Sequence, residues 1–430
     1  MAAIMTVITA IDESIIHLER AVELTVSDAT SLEIVFKIQE TCNINCKYCY
    51  MYNVGNELYK QMPTRASIET CEHVAGIIID QFKNRNPRFV RLILHGGEPM
   101  LMTPAHFDER MSAITSKLRR ELNEEQLSKI QYSMQTNATL VSEAWLAQIE
   151  KWELRLGVSI DGYEEAHDQY RVDKKDRGTH ANVVSGIRKL QDANRDGRIA
   201  HFGALCVINP DADGARVYDH LTRELGFTGF DFLLPFMNWD SVSSETLEKT
   251  RQYLLSAFAA WRRDAMRGRH VEVRIFKRIM NSLRWGPPPS EGKLSLAHYV
   301  MVVESNGAIQ PEESLRPAYD GRFAQLTVHD HGLEDVLADA RFYTSIVASF
   351  QTAPECDDCA LLNQCRSGQS VGRIGMRYQT GQLFDRKSVY CDVFKDLYVQ
   401  GAAMMIDHGR SGQSPLLADL ADSDWQLGAA

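Results

Sequence analysis

The sequence predicts an α/β fold with parallel strands, followed by a smaller cysteine-bearing region. Three observations lead there. Strand-like and helical patterns alternate from residue 33 to residue 266; Gly286-Pro-Pro-Pro-Ser290 reads as a linker; and beyond it Cys356, Cys359 and Cys365 form a CxxCxxxxxC array, with Cys391 after a gap. Repeated strand–helix alternation calls for parallel strands joined by right-handed crossovers. A Gly/Pro cluster between patterned regions marks a joint.

Taken in order, the first strand-like run is Leu32 to Ile38, apolar and β-prone, and Cys42, Cys46 and Cys49 follow in the loop that leaves it. The second, near 89–94, ends on His95-Gly96-Gly97-Glu98-Pro99. The third, 131–136, closes on Gln135-Thr136-Asn137, and the fourth, 155–160, on Ser159-Ile160-Asp161-Gly162. Runs at 201–207, which holds Cys206, and 229–234 complete the set. Helical patterns at 67–83, 105–121, 142–151, 181–193, 214–225 and 246–266 separate or follow them. A further strand, Tyr299 to Val303, leads into Gly307 to Arg316. The resulting division is an N-terminal extension (1–31), an α/β unit (32–266), a bridging segment (267–300), a C-terminal domain (301–408) and a mobile tail (409–430).

Composition narrows the function classes. Lys+Arg 47 against Asp+Glu 57 gives a net charge of −10, and no basic, aromatic-interleaved segment is present, which argues against general nucleic-acid binding. Met1 to Ile11 lacks a basic region and runs into Asp12 and Glu13, so it does not read as a secretory signal. No run approaches ~18 apolar residues, so no membrane span is expected. Nine cysteines at these spacings, without an export signal, favour metal ligation in a reducing cytoplasm over disulfides.

The CxxxCxxC array of Cys42, Cys46 and Cys49 offers three thiolates to a cubane 4Fe–4S cluster and leaves one iron open, whereas electron-storage clusters are closed by four cysteines. Structural zinc would need a fourth Cys or His at short spacing, and none follows. The array resembles that of the radical S-adenosylmethionine (SAM) enzymes, CxxxCxΦC, with Tyr48 as the aromatic residue. Gly96, Gly97 and Glu98 match that family's GGEP segment, which binds the SAM amino group. The resemblance implies a partial (β/α)6 TIM-like barrel and SAM contacts at Ser159 and Arg171, and, less directly, at Gln135 and Asn137. The bland alternatives are a surface ion pair for Arg171 and turn-capping amides for Gln135 and Asn137.

The C-terminal array resembles the SPASM domain of peptide-modifying radical SAM enzymes, which implies a second, auxiliary 4Fe–4S cluster on Cys356, Cys359, Cys365 and Cys391. Four cysteines with a CxxC pair also make a structural zinc site, and that reading stays open. The inner-cluster positions are replaced: Glu312 stands five residues after Gly307, and Gln369 four after Cys365. Cys71 and Cys206 read as packing residues. Mapping from sulfatase-maturing relatives puts a candidate general base at Glu313, with Glu312 in reserve; the alternative is a solvent-exposed loop glutamate. The Glu-Ser-Leu-Arg run from Glu313 and the segment Phe384 to Tyr390 look closer still to cyclophane-forming maturases of ribosomal peptides, although the Cys-Gly-Gly-Gly stretch common there is Cys365-Arg-Ser-Gly here.

The resemblance implies oxidative modification of a precursor peptide, foremost an intramolecular side-chain cross-link. Alternatives are Ser or Cys oxidation of the sulfatase-maturase type, thioether formation and epimerisation; a non-enzymatic iron–sulfur sensor would need no SAM contacts. Implied partners are the precursor peptide and a reductant such as flavodoxin or ferredoxin. Only about 30 residues precede the first strand, too few for an independent leader-binding core. A separate leader-binding protein, or the barrel mouth with residues 268–330, would fill that role.

Overall fold

The computed structural model describes residues 23–54, 57–285, 293–315, 326–339, 342, 351–368, 374–380, 382 and 384–411. The Gly286–Ser290 linker, Gln369, most of the N-terminal extension and the tail beyond 411 lie outside the described residues. Strands in chain order are β1 (Glu23–Gln39), β2 (Ile44–Cys46), β3 (Val90–Gly96), β4 (Ile130–Thr136), β5 (Arg155–Ser159) and β6 (Arg171–Asp173). Then come β7 (Gly203–Val207), β8 (Gly229–Leu233), β9 (Glu272–Val273), β10 (Lys293–Val303), β11 (Ala308–Gln310) and β12 (Leu326–Thr327). The fold class is the expected one, a mostly parallel, incomplete α/β barrel type with a smaller C-terminal cysteine-rich part.

The chain forms two compact units. The first comprises Met1–Val158, Val172–Phe202 and Ser290–Ser349. Its strands run β12-β11-β10-β1-β3-β4-β5. Pairing is parallel from β10 through β5 and antiparallel across β10, β11 and β12. Helices Ile68–Asn84, Pro104–Glu121 and Glu143–Lys151 begin at Ser67, Thr103 and Ser142, whose hydroxyls accept from backbone N–H groups of the first turn.

Alternation along β1 sorts its side chains. Leu32, Ile34, Phe36 and Ile38 are fully buried on one face. That face meets helix Ile68–Asn84, since Tyr299, the partner of Leu32 on β10, donates to Gln81 Oε1 at 2.5 Å. The other face carries rungs set by strand register. Glu33 lies beside Arg91, with Arg91 donating to Glu33 (2.8 Å) and to Gln131 (3.0 Å). Val35 follows, packed on Ile93 and Val302. Lys37 beside His95 comes last, at the C-terminal strand ends, where α/β barrels place their chemistry.

The second unit comprises Ser159–Arg171, Gly203–Pro289 and Phe350–Ala430. Its strands β7, β8 and β9 are parallel. Phe232 meets Tyr253 edge-on at 5.4 Å, and Phe258 meets Phe276 at 5.1 Å. Helix Ser244–Met266 supplies Tyr253 and Phe258, and helix Arg274–Trp285 supplies Phe276. The C-terminal helix, Cys391–Ser411, starts on the last cysteine of the array.

Candidate functional site

Cys42, Cys46 and Cys49 occupy a tightly turned loop after β1. The Cys49 N–H donates to Cys46 O (2.9 Å) and the Asn53 N–H to Cys49 O (2.7 Å). Burial pushes the Cys42 thiol up to about 12, with the nearby Glu98 charge and the Cys46 and Cys49 thiols adding, and the Ile44 N–H opposing. Thiolates gathered this way repel one another, so a cationic group is what would hold them together. The donor set fits three irons of a cubane, and the hydrogen bond on Cys42 is of the kind that stabilises cluster sulfurs.

The Gly-Gly-Glu turn is locked onto the root of this loop. Gly97 N–H donates to Gln39 O (2.8 Å) and Glu98 N–H to Thr41 O (3.0 Å). Gly96 has φ +133°, and a Cβ there would fall 2.0 Å from Gln39 O; at Gly97 it would fall 2.4 Å from the Thr41 carbonyl. Close backbone approach is thus required by the protein itself, before any ligand. Glu98 is 1% exposed and accepts from Met100 N–H (3.0 Å), Thr136 Oγ1 (2.7 Å) and Asn137 N–H (2.7 Å). Asn137 in turn donates to Asn43 Oδ1 (2.9 Å) and reaches Cys42 Sγ (3.9 Å), which ties the exit of β4 to the cysteine loop.

Glu313, in the turn after β11, is 11% exposed at its side chain and forms an ion pair with the fully buried Lys37. The exposed-loop alternative for Glu313 therefore does not hold. Tyr50 Oη donates to Glu313 Oε1 (2.6 Å), and Lys37 Nζ donates to Tyr50 Oη (3.0 Å) and His95 Nδ1 (3.0 Å). All three ammonium protons find acceptors. The Gly96 N–H also donates to His95 Nδ1 (2.8 Å), so the ring is neutral with its proton on Nε2, directed at Gln135 Oε1 (2.8 Å). Gln135 is thereby linked to Glu313 through His95 and Lys37. Sequence reasoning missed Lys37, Tyr50 and His95 as site residues; the available signal was a lysine inside an apolar strand run next to the cysteine loop. Tyr48 and Glu312 are half-buried.

The second unit holds Ser159, Arg171 and the other cysteines. Ser159 ends β5 and is 9% exposed, and Arg171 is 6% exposed, which removes the surface ion-pair alternative. Asp161 between them accepts from Val207 N–H (3.0 Å). Cys356, Cys359, Cys365 and Cys391 come within electrostatic reach of one another, and burial pushes Cys365 up to about 12 while the Gly368 N–H opposes. Arg366, Ser367 and Gly368 all have positive φ (50°, 61° and 96°), so the chain turns sharply after Cys365. Ser367 Oγ donates to Cys356 Sγ (3.4 Å). Arg377, 2% exposed, donates to the carbonyls of Gln351 (2.8 Å), Phe384 (2.5 Å) and Arg386 (2.8 Å), framing the array. Four ligand thiols with sulfur-directed donors fit a fully protein-ligated cluster. Cys71 and Cys206 are fully buried, as packing residues should be. Among the described residues, no helix is long and apolar enough to cross a membrane.

Residues 36–211 match the model of the Radical SAM superfamily. The cysteine-type anaerobic sulfatase-maturating enzyme of Clostridium novyi is 22% identical over 86% of this chain and 94% of its own length. Native anSMEcpe with bound AdoMet and Cp18Cys peptide superposes with a TM-score of 0.70 at 20% identity, covering 89% of this chain and 100% of that one. Streptococcus suis SuiB bound to precursor peptide SuiA gives 0.55 at 14% identity, covering 84% and 76%. These two likenesses concern the fold.

Proposed function

We propose that this radical SAM oxidoreductase oxidises a Cys or Ser side chain of a peptide or protein substrate, with Glu313 taking up the proton that oxidation releases. The observation that carries the reading is the Lys37–Glu313–Tyr50 cluster, which holds a carboxylate beside the residue that follows Cys49. The Clostridium sulfatase-maturating relatives, aligned over 83% and 86% of the chain, support the substrate class. We assign the first cluster to Cys42, Cys46 and Cys49 and the auxiliary cluster to Cys356, Cys359, Cys365 and Cys391. SAM contacts are assigned to Tyr48, Gly96, Gly97, Glu98, Gln135, Asn137, Ser159 and Arg171. Flavodoxin or ferredoxin is the proposed reductant.

SAM with a cluster on Cys42, Cys46 and Cys49 would supply hydrogen-atom abstraction from carbon, and a cluster on the four C-terminal cysteines would accept an electron. The chain's own residues do the rest. Lys37 stabilises the ionised Glu313 and, with Tyr50, fixes Oε1, leaving Oε2 as proton acceptor. His95 holds Lys37 in place through a neutral ring and passes no proton in this arrangement. Removal of one hydrogen atom, one electron and one proton gives a two-electron oxidation.

A second reading, the intramolecular side-chain cross-link, is favoured by Glu312 and Gln369 standing where inner-cluster thiols would be. One experiment separates them. A sulfatase-derived Cys or Ser peptide and a ribosomal precursor peptide are each incubated anaerobically with enzyme, SAM and reductant in D2O. An aldehyde trapped by a hydrazide supports side-chain oxidation. Loss of two hydrogens without trapping, and with fragment ions missing inside a short block, supports the cross-link. Gain of one deuterium means epimerisation, and two unchanged peptides despite SAM cleavage sink both readings.

A further inference from the structure

We propose that Glu69, His73 and His329 form a binding site for a single divalent cation of the zinc class, separate from both cysteine arrays. Glu69 and His73 are four residues apart on helix Ile68–Asn84 and so share a face. His329 follows β12 and brings its ring to 4.8 Å from that of His73, tilted by 60°. One ligand atom from each of the three residues lies within 4.8 Å of the other two. A tetrahedral ion with bonds of ~2.1 Å spaces its ligands by ~3.4 Å, so modest side-chain rotation closes the site.

The donor set chooses the ion. Two imidazoles and a carboxylate suit zinc and its neighbours, whereas magnesium and calcium prefer oxygen ligands. His73 and His329 are half-buried and Glu69 is exposed, so the site opens to solvent on the carboxylate side and a water completes the coordination. Thr70 Oγ1, 3.3 Å from His329 Nε2, orients the ring and leaves Nδ1 for the ion. The same Nε2–Cδ2 edge of the ring is seated on the β10–β11 turn, where a Cβ at Gly307 would fall 2.6 Å from His329 Cδ2 and 2.7 Å from Nε2. The ion would therefore staple helix Ile68–Asn84 to the β11–β12 pair, and β11 leads into Glu313.

The test uses the full chain with its clusters reconstituted, dialysed anaerobically against buffered Zn2+ and analysed for zinc and iron together. The wild type should take up about one zinc per chain beyond its iron, because one triad holds one ion. His73→Gln and His329→Gln should each weaken that uptake by about tenfold or more, with iron unchanged. Zinc should raise the melting temperature of the wild type and not of these variants. Should a histidine variant fail to fold, Glu69→Gln, altered at an exposed position, must still show weakened uptake. No uptake by the wild type, or equal uptake by wild type and variants, overturns the proposal.

Discussion

Lys37 is a buried cation whose three protons go to Tyr50, His95 and Glu313. Removing one partner of such a pair leaves a buried charge uncompensated, at a cost of ~3–5 kcal/mol. Lys37→Met should therefore destabilise the protein by about that amount in denaturant unfolding, and Lys37→Met with Glu313→Gln should recover part of it. Glu313→Gln alone should keep SAM cleavage while lowering product formation by ~10²–10⁴-fold, the usual worth of a general base. Loss of both activities together would make Glu313 a structural residue instead. At this scale the sequence disclosed residues that have a spacing signature: the seven arrayed cysteines, Glu98 within its glycine turn, and Asn137 at a strand end. It did not disclose Lys37, because one polar residue in the run Leu32 to Ile38 leaves the strand pattern intact, and only the register with β3 brings it to His95.

The element-scale pattern was legible because hydrophobic periodicity is local. Five of the six expected strands appear within a few residues of their expected bounds, as do five of the six helices; the first strand, expected over 33–38, begins already at Glu23 and so takes in part of the expected N-terminal extension. The sixth, 214–225, is α-helical only over Gly214–Asp219 and continues as a wider π turn at His220–Glu224. What was not legible was β10 as a parallel partner of β1 along Lys293–Val303, since pairing between segments so far apart leaves no local trace. The Gly96-Gly97 turn gives a test here. Gly97→Ala would drive a Cβ to 2.3 Å from Tyr52 Oη and 2.4 Å from the Thr41 backbone, so this loop must shift. The variant should lose iron at the first array while retaining the C-terminal one; full iron and full SAM cleavage would refute this account of the turn. Helix Arg274–Trp285 offers a pH test. Burial pushes the Lys277 ammonium down to about 8, against the pull of Glu272 at 3.9 Å. Between about 8 and the ordinary lysine value of ~10.4 the unfolded chain holds a proton that the folded chain has released, so stability rises with pH there. Below that window both states are protonated and the contribution is flat. Lys277→Met should abolish the rise, read as melting temperature against pH.

Over the whole molecule, two cysteine arrays are built alike although they belong to different units. Each starts from a turn in which one cysteine N–H donates to the carbonyl of another, Cys49 to Cys46 and Cys359 to Cys356, both at 2.9 Å. Each also sets a backbone N–H on a sulfur, from Ile44 to Cys42 and from Gly368 to Cys365. On the proposed reading, three thiols in one array and four in the other would do different work: an open iron for SAM chemistry, a closed cluster for electron transfer. That division predicts separable losses. Two 4Fe–4S clusters bring about eight irons per chain, and Cys46→Ala or Cys359→Ala should each leave about four. Cys46→Ala should abolish SAM cleavage altogether. Cys359→Ala should preserve SAM cleavage and lose peptide oxidation, because the radical still forms while the electron has no acceptor. If the C-terminal array holds zinc instead, Cys359→Ala will leave iron untouched and release zinc that His329→Gln retains. Measuring both metals in both variants therefore decides which ion the four cysteines carry, independently of whether Glu69, His73 and His329 bind another.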